Sequence, residues 1–276
     1  MRVELYCPSC GEEVRPTLMP PPTDYTCETC NETMPRTKLT KIKVLNRRIA
    51  GVGIGNNMTA TVVGTASFFD ALGATGSLTA SNCVFRAGDT CVVCIASDLA
   101  GGGIGVAGVT VGGAACNQIT TGPSGDLEAE QWIRGNLTAG SKSVVISGFG
   151  ANPTACAMVV VAVSGARAIN VPSDSFVVSD GSGTAFDSGL TDPLLFNFQM
   201  AVAMVGSEQN NAVSSWGKGF TALSGGHVAT NQGGPPQDVT VDVAIKALLS
   251  TDPVQVTGTI GSSASWVASL VTIRPQ

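Results

Sequence analysis

"CAMVVVAVSG" at residues 156–165 is an apolar run, rich in valine, that stops at a Ser-Gly pair. β-Branched side chains pack well on a pleated surface, and the run is far too short to cross a bilayer. It reads as a strand covered on both faces, and it sets the fold class as all-β. The same reading extends to "ACAMVVVAV" (155–163) and "LLFNFQMAVAMVG" (194–206), the longest apolar segments of the chain. Around them stand shorter runs bounded by Gly, Pro, Asn or Asp: "TATVVGTASFF" (59–69), "DTCVVCIAS" (89–97), "VAGVTVGG" (106–113), "AEQWIRGNL" (129–137) and "KSVVISGF" (142–149). With 34 glycines and 5% aromatic residues, the 276-residue composition suits a β-sandwich with many turns. A β-sandwich is expected over residues 58–276.

An echo runs through that body at an offset of 110 residues. "VVCIASD" (92–98) aligns with "VAMVGSE" (202–208), "SKSVVISG" (141–148) with "TDPVQVTG" (251–258), and "CAMVVVAV" (156–163) with "WVASLVTI" (266–273). Identity is close to what the composition gives by chance; the matched order and spacing of strands carries the signal. An internal duplication over about 60–166 and 170–276 allows two small sandwiches or one larger one. Neither half is rich in large apolar residues, so one sandwich with strands from both halves is expected.

The N-terminus differs from the body. "CPSCGEE" (7–13) returns, changed, as "CETCNET" (27–33). Cysteines three apart can face one ion across a tight turn, and Gly11 and Asn31 tolerate the left-handed backbone such a turn uses. Cys7, Cys10, Cys27 and Cys30 therefore make a four-thiolate zinc site the leading reading, against two disulfides or four buried thiols. Residues 1–35 have too few large apolar side chains for a core, so a structural Zn2+ ion would staple a small ribbon. Four thiolates leave no open coordination position, which argues against catalysis there.

Residues 36–57 read as a basic, glycine-rich connector. Arg36, Lys38, Lys41, Lys43, Arg47 and Arg48 stand without an acid among them, whereas residues 49–276 hold seven basic and fourteen acidic residues. The body is thus ill-suited to a broad nucleic-acid face, and the basic run is the candidate partner-binding segment. Aromatics are absent from that run, which argues against stacking on single strands. Cysteines and acids occupy the place of a signal peptide's apolar segment. Five further cysteines (Cys83, Cys91, Cys94, Cys116, Cys156) lie in apolar surroundings, and synthesis in a reducing cytoplasm is expected.

"AGDTCVVCIAS" (87–97), "VVVAVSGARA" (159–168) and "SSASWVASLVTIRP" (262–275) resemble a β-sandwich family common in tailed bacteriophages. The resemblance covers roughly residues 60–275 and implies a jelly-roll-like form of the sandwich and a virion setting, with protein made in the host cytoplasm. It carries strand patterns and no active site. The chain departs from the family pattern where a Pro-Gly-Trp turn is usual, having "VAGVTVGGAA" (106–115) there, and the cysteine pairs lie outside it.

Other motifs have weaker readings. Cys91 and Cys94 repeat the x2 spacing within a strand, where residues three apart point to opposite faces, so buried thiols are expected. "GVGIG" (51–55) precedes a strand pattern, not a helix, and lacks the lysine of a phosphate loop, so it reads as a hinge. His227, in "SGGHVATNQGGPP" (224–236), reads as an exposed loop tip. Asp126, Glu128 and Glu130 alternate on "DLEAE" and read as solvated surface. Trp132 and Trp266 read as core, Trp216 as exposed.

These readings converge on a structural protein of a phage particle and not an enzyme. A capsid decoration or cement protein attached by its ribbon arm, contacting the major capsid protein and forming a homo-oligomer, is expected. A tail-associated receptor- or glycan-binding module and a zinc-ribbon nucleic-acid-binding protein are the alternatives. No membrane partner is expected.

Overall fold

The structure, a computed structural model, describes residues 58–69, 76–99, 105–149, 153–210, 212–230 and 238–276, with four short strands nearer the N-terminus. The chain divides into two compact units, Met1–Gly55 and Asn56–Gln276. In the first, β1 (Leu5–Tyr6) pairs antiparallel with β2 (Glu13–Val14), and β3 (Asp24–Thr26) with β4 (Thr33–Pro35).

The second unit opens with β5 (Thr59–Phe69), β6 (Ser77–Phe85), β7 (Thr90–Leu99), β8 (Val106–Val111), β9 (Ala114–Ala115), β10 (Asn117–Ser124), β11 (Leu127–Arg134), β12 (Gly140–Phe149) and β13 (Pro153–Ser164). It continues with β14 (Ser173–Asp187), β15 (Met200–Ser207), β16 (Val213–Trp216), β17 (Thr221–Ala229), β18 (Thr240–Ala247) and β19 (Thr257–Ile273). Among the described residues there is no helix, and every pairing is antiparallel, consistent with a β-sandwich.

Three sheets stack. A central sheet in the order β10-β11-β7-β13-β5 has on one side a sheet in the order β6-β12-β8-β9. On its other side lies a third sheet, β14-β19-β15-β18-β17, with β16 paired to β19. One core, holding Phe85, Val93, Ile95, Val109, Trp132, Val144, Ile146 and Met158, fills the space between the first two. A second, holding Val92, Ala96, Leu127, Val159, Val161, Val202, Met204, Val241 and Val271, lies between the central and third sheets. Burying each such aliphatic side chain stabilises the fold by about 1.5–3 kcal/mol.

This layering explains the unalternating runs. The central sheet is covered on both faces, so both sides of β7 and β13 are largely apolar, as in a sheet flanked by helices, while β11 is equally buried but carries Glu128, Glu130 and Gln131. Residues 91–96 and 156–161 accordingly have no exposed surface. The outer face of the third sheet is covered by Leu194, Phe220, Leu248, Val254 and Val256 from the segments joining its strands. That is why β15 is also buried on both sides.

No sheet mixes strands of the two halves: the first two sheets are built from residues 59–164, the third from 173–273, and the halves join by stacking. One expectation is corrected. "LLFNFQ" (194–199) is not strand, and β15 begins at Met200. Leu195 and Phe196 stay at the surface while Leu194 plugs the outer core.

Candidate functional site

Cys7, Cys10, Cys27 and Cys30 lie outside the described residues, as do Arg36, Lys38, Lys41, Lys43, Arg47, Arg48 and the glycines of "GVGIG". The described strands nevertheless constrain the cysteine pairs. Tyr6 pairs with Glu13 and Thr26 with Thr33, so residues 7–12 and 27–32 are each the connection of an antiparallel hairpin. Both connections have the same length, and both carry cysteine at the first and fourth positions. Two such loops supply four thiol donors, a set that fits a tetrahedral zinc ion.

Within the body, Glu128 and Glu130 correct the surface reading, because both are buried, Glu130 to 1% exposure. They share the face of β11 that carries Trp132 into the first core. Glu130 Oε1 accepts the backbone N–H of Val106 at 2.7 Å, and Oε2 accepts the indole N–H of Trp132. Thr121 donates its hydroxyl proton to Glu128 Oε1. Burial is the main force lifting the Glu130 carboxyl to about 7; the Glu128 charge adds to it, and the N–H donors oppose it. A Cβ at Gly105 would overlap Glu130 Oε1, so glycine lets the carboxylate reach the start of β8. With its oxygens taken by protein donors, Glu130 ties two sheets together. The signal was in the sequence: alternation places Glu130 on the same face as Trp132, itself read as core.

At one end of the stack, burial raises the carboxyls of Asp98 and Glu208; the charge of Asp126 adds to both shifts, and that of Asp98 to the Glu208 shift. Thr154 donates to Asp98 Oδ2 at 2.6 Å. His227 sits within β17, not at a loop tip, and its Nδ1 is 3.1 Å from Asp242 Oδ1. Asp242 Oδ2 accepts the N–H of Val213, and burial raises its carboxyl while His227 lowers it. Among the described residues, no group of three His, Cys, Asp or Glu side chains is placed to hold a metal ion.

A pocket of about 350 Å³ is lined by Asp174, Ser175, Phe176, Asp192, Pro193 and Leu195. Phe176 and Leu195 are 56% and 71% exposed, unusual for such side chains beside a cavity. The side chain of Asp174 is 1% exposed; Oδ2 accepts from the Leu195 N–H and from Gln199, and Oδ1 lies 3.5 Å from Arg274 Nε. The Arg274 guanidinium covers the Phe196 ring at 5.4 Å.

Cys83, Cys91, Cys94, Cys116 and Cys156 are all free and buried, with Cys91 in the first core and Cys94 in the second, on opposite faces of β7. Trp132 and Trp266 are core. Trp216 is half-buried, meeting the Phe186 ring edge-on at 5.5 Å between centroids.

Compared with known proteins, the chain matches no family model, no curated protein and no solved structure.

Proposed function

We propose that this chain is a structural protein of a phage particle, a capsid decoration or cement protein that attaches through an N-terminal zinc ribbon. The observation that carries the reading is the strand order of residues 59–164. Taking β9 and β10 as one strand broken at Cys116, eight strands run 1-8-3-6-5 in one sheet and 2-7-4-5 in the other, the fifth strand giving eight residues to the first sheet and two to the second. Apart from that shared fifth strand, the order resembles a jelly roll's, an architecture recurrent in viral capsids and lectins. The matched cysteine hairpins support the ribbon, and the basic run at 36–48 supports docking on an acidic surface such as a major capsid protein. Virion localisation and a homo-oligomeric state belong to the same reading. Purified labelled protein mixed with candidate phage particles and imaged tests it. Regular occupancy over the shell is expected; absence from the shell at saturating protein rejects it.

The pocket at Asp174–Leu195 favours one second reading, a tail-associated glycan-binding module. An exposed aromatic ring such as Phe176 can stack on a sugar while the sugar's hydroxyls donate to the exposed Asp192 carboxylate. Binding of soluble oligosaccharides that Phe176→Ala and Asp192→Asn abolish would support this module over the cement protein.

A further inference from the structure

The central and third sheets share one topology. With β10, β11, β7, β13 and β5 replaced by β17, β18, β15, β19 and β14, the order of the first sheet becomes that of the second. The ladders agree residue by residue. Cys94 pairs with Val159 and Met204 with Ser269; Val92 pairs with Val161 and Val202 with Val271; Thr90 pairs with Val163 and Met200 with Ile273. Each pair is displaced by 110 residues, the offset of the sequence echo. The sheets also face each other crosswise. β10 packs on β14 and β5 on β17, β11 on β19 and β13 on β18, while β7 faces β15. That is the pattern of a two-fold axis running along β7 and β15, the self-complementary contact of a symmetric dimer.

We infer that this interface is a self-pairing surface closed within one chain, and that Gln131–Ser269 and Ala96–Gly206 make it pair half with half rather than copy with copy. Gln131 on β11 donates through Nε2 to the Val202 carbonyl at 3.2 Å and accepts from the Ser269 hydroxyl at 3.0 Å. The counterparts break the symmetry. Opposite Cys94 on β11 stands Gln131, but opposite Met204 on β18 stands Val243; the equivalent of Ser269 is Val159. Two first halves pairing would leave Gln131 Oε1 facing valine, and two second halves would do the same to Ser269. A buried polar group stripped of its partner costs about 1–3 kcal/mol. Ala96 and Gly206 are equivalent positions, and a Cβ on Gly206 would come within 3.0 Å of the Ala96 Cβ and 2.9 Å of the Ala129 Cβ. Ala96 against a second Ala96 therefore clashes. Neither device would be needed if the surface could not meet a second copy of this chain, and each penalises that encounter.

The test uses two differently tagged populations of the full chain, unfolded together and refolded at high concentration with zinc and a thiol reductant. Co-purification of both tags is compared with the same populations mixed after folding, which removes reversible association. The wild type should show little excess from co-refolding. Gln131→Leu with Ser269→Ala should raise that excess several-fold, and Ala96→Gly, a milder change, should raise it on its own. Ile146→Val in the other core controls for lost stability. No excess in either variant, or an equal excess in the Ile146→Val control, overturns the inference.

Discussion

Glu130, on the central sheet, accepts the backbone N–H of Val106, the first residue of β8 in the neighbouring sheet, at 2.7 Å. A carboxyl so placed makes stability depend on pH. Its folded value of about 7 lies above the ordinary glutamate value of 4.5, so the native state binds more protons than the unfolded chain between these limits. Stability contributed by protonation is present below pH 4.5 and is lost as pH rises through about 7. The gap corresponds to on the order of 3 kcal/mol. Urea midpoints should therefore fall between pH 5 and pH 8, and the fall should be shallower in Glu130→Gln. Parallel pH profiles for the two proteins would remove Glu130 from this role. Asp98, Glu208 and Asp242 shift in the same direction, so the variant keeps a residual slope.

Much of the body was legible because strands announce themselves by period. "TATVVGTASFF" is β5 residue for residue, and "VAGVTV" is β8. The offset of 110 visible in the sequence is the displacement between the β7–β13 and β15–β19 ladders. Other elements were hidden for physical reasons. β6, "SLTASNCVF", breaks its alternation at Ser81–Asn82, where the register with β12 shifts, and it points Val84 outward and Ala80 and Cys83 inward, so hydrophobic contrast is low. β14 and β19 each run past a register shift near Gly183, whose φ of 116° suits glycine, and one long strand thereby serves two pairings. Glu130 was missed because residue type was weighed above position on the face. Gln131 and Ser269 carried no local signal, since their partner lies across a sheet interface 138 residues away.

Metal analysis should find one tightly bound zinc per chain, held by Cys7, Cys10, Cys27 and Cys30. Cys27→Ser should lose it. The body has its own cores in residues 58–276, so its melting temperature should change little in that variant. A full complement of zinc in Cys27→Ser would reject the four-thiolate assignment.

Neutralising Lys41, Lys43, Arg47 and Arg48 together should weaken particle binding, and added salt should do the same to the wild type, because exposed charges are screened within about 8 Å at physiological ionic strength. Binding indifferent to both changes would leave the run as a linker. If the partner is DNA instead, log affinity should fall linearly with log salt, by about 0.9 for each phosphate contact displaced.

Thiol reactivity should separate the two units in one titration. The five body cysteines are buried, and desolvation holds their thiols up, Cys94 and Cys116 at about 12. Attack on a disulfide reagent requires thiolate and access, and these groups offer neither at pH 8. A neutral thiol reagent should therefore label almost nothing in the native, zinc-loaded protein. Adding a chelator should release the four cysteines of the opening pairs while the body stays silent, and denaturant should bring the count to all nine in the sequence. The order of release distinguishes the readings of the opening segment: two disulfides would give five thiols in denaturant without reductant and no response to chelator. Rapid labelling of Cys83 or Cys116 in the native state would show instead that the first core opens on the timescale of the reagent, and the sheet stack would then be looser than its burial implies.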